Sequence, residues 1–220
     1  MGNGVTAYFA NSILQRDVDL ANALLVAESI GAEIEIIDVA PLDWPEFAAN
    51  PPDRCYLCKK KVYGLIIDRI SEKGEVKLFD GTNLDDMYTE RPGHKAIKEL
   101  GVITPLVEAG LTKDNIRKTA RKLKLPNWNR VSASCLATRV HQGSQITSLK
   151  LNKISACEEV LDQLGFIGCR ARLSGDSSSL IIEVQESDIK IVSVNKFRTK
   201  ILSSLSKFGI EKVYLDLTGR

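Results

Sequence analysis

The opening of the chain constrains its fold most, because strand, helix and strand patterns follow one another directly. Val5-Thr6-Ala7-Tyr8-Phe9 is a short run of strand-forming residues. Leu20, Ala23, Leu24, Ala27 and Ile30 then recur at helical spacing from Asp17 to Ile30, and Gly31 stands where a helix C-cap belongs. Glu33 to Val39 alternates around Ile34, Ile36 and Ile37, which predicts the next strand. This β-α-β opening predicts a parallel sheet of the α/β class.

The rest of the chain is consistent with such a sheet. Of the 220 residues, 44% are hydrophobic, enough for a sizeable core. The formal net charge is only +2 and no basic block occurs, so composition gives nucleic-acid binding no support. No apolar stretch is long enough to cross a bilayer. Met1-Gly2-Asn3-Gly4-Val5 lacks a basic region followed by an apolar core, so a cytoplasmic protein is expected. In a reducing compartment the odd count of five cysteines predicts thiols rather than a disulfide framework.

Further along, Pro45 to Asp53 reads as a breaker-rich connection and Arg54 to Glu72 as a helix ended by Lys73-Gly74. Val76 to Phe79 predicts a buried strand, with Asp80-Gly81-Thr82-Asn83 just after it. Ligands bind beyond the carboxyl ends of such strands. Leu84 to Pro92 reads as a polar loop. A short helix is expected near His94 to Leu100, and Val102-Ile103 is a strand candidate. Thr112 caps a helix whose apolar stripe is Ile116, Ala120 and Leu123; Pro126 stops it. Asn127 to Gln145 reads as a functional loop or short helix. The pattern then becomes helix Leu149 to Leu164, strands Cys169 to Leu173 and Leu180 to Val184, helix Asp188 to Phe208, and strand Val213 to Leu217. A boundary near residue 147 therefore predicts a larger domain over 1–146 and a small α+β domain over 147–220, with an antiparallel sheet.

Three cysteines carry the chemistry. Cys55-Tyr56-Leu57-Cys58 is a C-x-x-C beside Arg54, Lys59, Lys60 and Lys61. Thiols at this spacing near a helix start can share a metal ion or cluster, and the nearby positive charge favours thiolate. By itself the motif fits a redox pair, half a zinc site or half an iron–sulfur site. Cys135 lies among small residues in Ser132-Ala133-Ser134-Cys135-Leu136-Ala137-Thr138-Arg139, with Arg139 placed to steer an anion or lower the thiol pKa. Three thiolates would leave one corner of a tetrahedral or cubane site open. Cys157 and Cys169 fall on apolar faces and are read as core residues. His94 and His141 are read as loop histidines. Strand alternation puts Arg170 and Arg172 on one face, and paired guanidiniums suit a phosphate. The alternative is a solvated strand face with surface ion pairs.

Several stretches in order carry a resemblance. They are Glu46-Phe47-Ala48-Ala49-Asn50-Pro51-Pro52-Asp53-Arg54-Cys55-Tyr56-Leu57-Cys58-Lys59, Asp80-Gly81-Thr82-Asn83-Leu84-Asp85-Asp86, Arg91-Pro92-Gly93 and Ser134-Cys135-Leu136-Ala137-Thr138-Arg139. Together they resemble the LarE-type sulfur transferases of the PP-loop ATP-pyrophosphatase superfamily, over nearly the whole chain. The resemblance implies a PP-loop (HUP-like) parallel sheet with helices on both faces and a small C-terminal α+β domain. It implies ATP- and Mg-dependent conversion of carboxylates of a pyridinium mononucleotide to thiocarboxylates, in nickel-pincer cofactor biosynthesis. Homo-oligomers are expected by the same route.

By the same resemblance, Cys55, Cys58 and Cys135 would hold a four-iron cluster, and Cys135 matches the cysteine that other members sacrifice. Arg170 and Arg172 match residues that bind the substrate phosphate, with Arg139 the next candidate. Glu158 matches an acidic site residue, although an exposed helical glutamate is the commoner reading of its position. Asp80, Gly81, Thr82 and Asn83 match part of the nucleotide site. The family's Ser-Gly-Gly-x-Asp-Ser phosphate loop has no counterpart here, and Val5–Phe9 matches the family's second strand. The chain is therefore expected to lack the first strand and, alone, to bind ATP poorly. Two alternatives stay open: a tRNA-thiolating relative of the same superfamily, and a non-enzymatic zinc-binding module.

Overall fold

Strand β1 (Thr6–Asn11) and strand β2 (Glu33–Asp38) run parallel and in register, from Thr6 opposite Glu33 to Asn11 opposite Asp38. Helix α1 (Asp17–Ser29) lies between them in sequence, as the β-α-β pattern predicts. The computed structural model describes residues 5–72, 74, 77–89 and 91–220. Expectations for Met1–Gly4, Lys73 and Val76 lie outside the described residues. Two compact units emerge. Asp17–Phe47 and Pro51–Arg130 join the segment ending at Ser12 in an N-terminal unit. Ile13–Arg16, Ala48–Asn50 and Val131–Arg220 form a C-terminal unit. The loop carrying Cys135 therefore groups with the C-terminal residues, on the other side of the boundary expected near 147.

In the N-terminal unit the helices are α2 (Pro45–Ala48), α3 (Arg54–Ser71), α4 (Leu84–Met87), α5 (Pro92–Glu99), α6 (Pro105–Glu108) and α7 (Lys113–Lys122). Pro45 to Asp53, read as a plain connection, contains α2 because proline is well suited to a first helical turn. The Leu84–Pro92 loop likewise contains α4 and the start of α5. Asn83 caps α4, accepting from the Asp85 N–H at 3.0 Å while its own N–H donates to Asp86 at 3.2 Å. Among the described residues, the strand expected up to Phe79 shows one parallel bridge, between Phe79 and Ile103, and Phe79 is 57% exposed. An apolar run alone does not supply the neighbouring strands that bury such a segment. Thr112 caps α7 as expected, with Asn115 completing the reciprocal pair.

Strands β1 and β2 carry no fully buried residue, and Ile36 is 43% exposed. Ala27 is the buried residue of α1. Between these elements opens a cavity of about 450 Å3, lined among others by Ala7, Phe9, Ala23, Val26 and Ile34.

The C-terminal unit is packed more tightly. Helix α8 (Ser148–Gln163) buries Leu151, Ile154, Cys157, Glu158 and Leu161. Strand β3 (Arg170–Leu173) pairs antiparallel with β4 (Ser179–Glu183), and β4 pairs parallel with β5 (Lys212–Leu215). The sheet is thus mixed rather than wholly antiparallel. The reason is the helical crossover between β4 and β5, which lets the chain return in the same direction. That crossover, expected as one helix, is divided into α9 (Ile189–Val192) and α10 (Asn195–Leu205). Val194 takes an extended conformation at the break, after a β-branched run that holds a helix weakly. Ala171, Leu173, Leu180 and Ile182 on the sheet join Ile201 and Leu205 of α10 in the core.

Candidate functional site

In the N-terminal unit three of the sequence motifs come together around the first turns of α3. Cys55 and Cys58 are one turn apart, so both lie on one side of the helix. Cys55 is exposed and Cys58 part-buried. Gly93 at the start of α5 lets that helix approach: a Cβ there would lie 3.0 Å from Lys59 Cδ and 3.7 Å from the Cys55 carbonyl oxygen. The three lysines after the motif each reach a carboxylate. Lys59 lies 3.5 Å from Asp80, Lys60 3.0 Å from Glu99, and Lys61 2.5 Å from Glu46. Their charge is thus shared with acids rather than dedicated to the thiols.

Asp80 is the hub of the second motif. Its carboxylate accepts from the Thr82 N–H at 2.6 Å, and from the Thr82 and Tyr63 hydroxyls. Burial pushes the Asp80 carboxyl up, but Thr82, Tyr63 and Lys59 outweigh it and hold it below the usual carboxylate range. Burial, then the bond to Asp80, pushes the Tyr63 hydroxyl up. Arg91 of the third motif pairs with Asp86 at 2.9 Å. His94 lies on α5 rather than in a loop, because the helix begins at Pro92. Burial, then Lys59 and Arg91, keeps its imidazole below the ordinary pKa.

A carboxyl whose folded pKa is depressed stabilises the fold above its unfolded value, and that contribution is lost as pH falls through the folded pKa. Asp80→Asn is therefore expected to lower Tm at neutral pH. The difference from wild type should shrink as the pH drops below the ordinary carboxylate value of 3.8, measured by melts across an acid series.

Cys135 belongs to the C-terminal unit, at the N-cap of a 3-10 turn over Leu136–Arg139. Arg139 builds this turn from within. Its Nη1 donates to the Ser134 carbonyl at 2.8 Å, the Cys135 carbonyl at 3.1 Å, the Ser134 hydroxyl at 2.6 Å and the Thr138 hydroxyl at 2.8 Å. Its Nε donates to Glu158 at 2.8 Å, with Arg139 only 4% exposed. Glu158 is 1% exposed, not the exposed glutamate that its helical position suggested. It also accepts from the Ala171 N–H at 3.1 Å, and Arg16 lies 3.8 Å away. Arg16 reaches Asp162 at 2.5 Å.

Arg170 and Arg172 share one face of β3, and Ala171 and Leu173 are buried on the other, as alternation predicts. Arg172 pairs with Glu183 and donates through Nη1 to the Thr138 carbonyl at 2.8 Å, inside the turn that follows Cys135. Among the described residues, the buried Nε of Arg170 has no hydrogen-bond partner. Burial, then Arg220 and Arg139, lowers its pKa. Arg220 donates to the Gly168 carbonyl and, at 3.1 Å, to the Ser132 carbonyl. Gly168 has φ 76, and a Cβ there would stand 2.7 Å from Val131 Cγ1, so the approach to β3 and the approach to Cys135 touch closely.

Cys157 and Cys169 are both buried, as read from their apolar faces. Burial pushes the Cys157 thiol up to about 11, which removes it as a nucleophile. Glu183, Arg220 and Arg16 enter the site without belonging to any of the sequence motifs. For Glu183 a signal existed: once β3 and β4 are paired, it stands directly opposite Arg170. Among the described residues no three His, Cys, Asp or Glu side chains form a group that could hold a metal ion. Among them, too, no helix is long and apolar enough to cross a membrane.

No family model matches the chain. It is 31% identical over 217 residues to the pyridinium-3,5-bisthiocarboxylic acid mononucleotide synthase of Lactiplantibacillus plantarum, an alignment covering 99% of this chain and 77% of that protein. This chain belongs to the LarE-type sulfur transferase family. The LarE-type chain is also 30% identical over 219 residues to an uncharacterized protein of Synechocystis, covering 100% of this chain and 81% of that one. An uncharacterized protein of Methanocaldococcus jannaschii is 26% identical over 198 residues, covering 90% of this chain and 74% of the relative.

Proposed function

We propose that this chain inserts sulfur into a pyridinium mononucleotide, converting its carboxylates to thiocarboxylates for nickel-pincer cofactor biosynthesis. The name of the Lactiplantibacillus plantarum relative supports the substrate class. The observation that carries the reading is Arg172. One edge of its guanidinium faces Glu183, beside Arg170, while Nη1 holds the Thr138 carbonyl behind Cys135. A phosphate anchored on this pair is thereby tied to the turn that presents the thiol. On this reading, Arg170 and Arg172 hold the substrate phosphate and Arg139 keeps the Cys135 turn in shape. Asp80, Gly81, Thr82 and Asn83 contribute part of a nucleotide site of PP-loop type, the kind of site at which ATP and Mg would activate the carboxylate.

The same proposal includes a four-iron cluster held by Cys55, Cys58 and Cys135. This part of the proposal rests on the family resemblance: Cys55 is exposed, Cys58 and Cys135 are part-buried, and Cys157 and Cys169 are enclosed, while Cys55 and Cys58 share one helix side of the N-terminal unit and Cys135 belongs to the C-terminal unit, so the three are not grouped among the described residues. Such a cluster would supply a sulfur ligand on an iron left without a cysteine. In the net reaction one carboxylate oxygen leaves with AMP and one sulfur takes its place. The carbon–sulfur bond forms as the carbon–oxygen bond of the acyl-adenylate breaks.

The test uses the anaerobically reconstituted chain and a pre-formed acyl-adenylate of pyridinium-3,5-dicarboxylate mononucleotide. Mass spectrometry should detect the oxygen-to-sulfur exchange, and Cys135→Ser should abolish it. No exchange by the cluster-loaded wild-type chain would refute the reading.

A further inference from the structure

The arginine pair of β3 already has an anion of its own. Glu183 stands opposite Arg170 across the β3–β4 pairing. Its carboxylate receives the Nε of Arg172, with Nη2 at 3.3 Å, and Arg170 Nη1 lies 3.8 Å away. The wider cluster holds five guanidiniums, from Arg16, Arg139, Arg170, Arg172 and Arg220, against four carboxylates, from Glu158, Asp162, Glu183 and Asp216. Guanidiniums therefore still outnumber carboxylates by one, and the buried Nε of Arg170 is without a partner among the described residues.

This matters for the substrate class proposed above. A pyridinium dicarboxylate mononucleotide presents carboxylates at one end and a phosphate at the other. An arginine pair by itself accepts either group, since guanidinium forks match both. A carboxylate bound to this pair would gain little, because it would replace Glu183 with a group of equal charge. A phosphate monoester brings nearly two charges and three acceptor oxygens, enough to meet both guanidiniums and the open Nε of Arg170.

We propose that Glu183 is a specificity-determining residue. It acts as a resident competitor that keeps carboxylates off the Arg170–Arg172 pair, so the substrate binds by its phosphate and leaves its carboxylates for reaction. The proposal rests on the reading of this pair as the phosphate anchor.

Calorimetric titration with inorganic phosphate and with pyridine-3,5-dicarboxylate tests it, at about pH 8, where phosphate is mostly dianionic. The proteins are the wild-type chain, Glu183→Gln, Glu183→Ala and the double variant Arg170→Ala/Arg172→Ala. The wild-type chain should bind phosphate and discriminate against the dicarboxylate. Both Glu183 variants should bind phosphate about tenfold more tightly, the scale of one charge-assisted hydrogen bond released from competition. Their gain for the dicarboxylate should be larger still, so selectivity falls. Phosphate should also raise Tm more in these variants than in wild type. Unchanged selectivity in both Glu183 variants, with phosphate binding still lost in the double variant, overturns the role of Glu183 alone. No phosphate binding by wild type, or equal binding by the double variant, overturns the phosphate anchor and the proposal with it.

Discussion

Arg139→Ala is expected to destabilise the C-terminal unit by about 3–5 kcal/mol, the cost of breaking a buried ion pair from one side. The substitution strands Glu158, which is 1% exposed and receives Arg139 Nε at 2.8 Å. Arg16 stands 3.8 Å from that carboxylate and the Ala171 N–H 3.1 Å, so some compensation survives. The larger loss is local. The two N–H groups of Arg139 Nη1, shared among four oxygens, shape the turn from Ser134 to Thr138. The double variant Arg139→Met/Glu158→Leu removes both charges together. It should recover much of the stability, because well-packed apolar replacements of buried ion pairs are often tolerated. It should not recover sulfur transfer, since the turn behind Cys135 would still lack its donors. Urea unfolding of the two variants against wild type measures the first effect, and the acyl-adenylate assay the second.

Replacing Arg170 and Arg172 should reduce affinity for the pyridinium mononucleotide by the next largest amount. Hydrogen bonds to charged groups contribute about 1.5–3 kcal/mol each, so either alanine variant should weaken binding roughly ten- to a hundredfold. The two effects should not simply add, because Glu183 contacts both guanidiniums. Arg172→Ala should be the more damaging for turnover. It also removes the bond to the Thr138 carbonyl at 2.8 Å, whereas among the described residues no hydrogen bond runs from Arg170 to the Cys135 turn. Mononucleotide binding measured on folded variants, beside single-turnover sulfur transfer, separates the two roles. Unchanged affinity in the double variant would return both arginines to the role of surface ion-pair partners.

Local pattern made a good part of this visible in the sequence. The β-α-β opening, the Thr112 cap, the burial of Cys157 and the common face of Arg170 and Arg172 all follow from helix or strand period. Such period is written into neighbouring residues. What was missed depends on contacts between distant residues. Glu158 continues the buried spacing of Leu151, Ile154 and Leu161 on α8. An acid on an apolar stripe must be paired, and its position hinted at burial. Its partner Arg139 lies outside α8, so no helical pattern could name it. Glu183 required the β3–β4 register before it could be placed opposite Arg170. The strand expected up to Phe79 differs in the opposite direction: its apolar residues predict a strand, yet among the described residues Phe79 has one bridge partner, Ile103. The three lysines after Cys58 looked like a local positive field, and each reaches a carboxylate elsewhere in the N-terminal unit.

Metal analysis after anaerobic reconstitution with iron and sulfide tests most directly whether Cys55, Cys58 and Cys135 hold the iron–sulfur cluster proposed for them. The wild-type chain should carry iron and sulfide and show broad visible absorbance. Substituting serine for any one of the three cysteines should remove most of both, while Cys157→Ser, in the packed face of α8, should leave them unchanged. Stoichiometric zinc without iron, or the same iron content in all three serine variants as in wild type, would contradict the account.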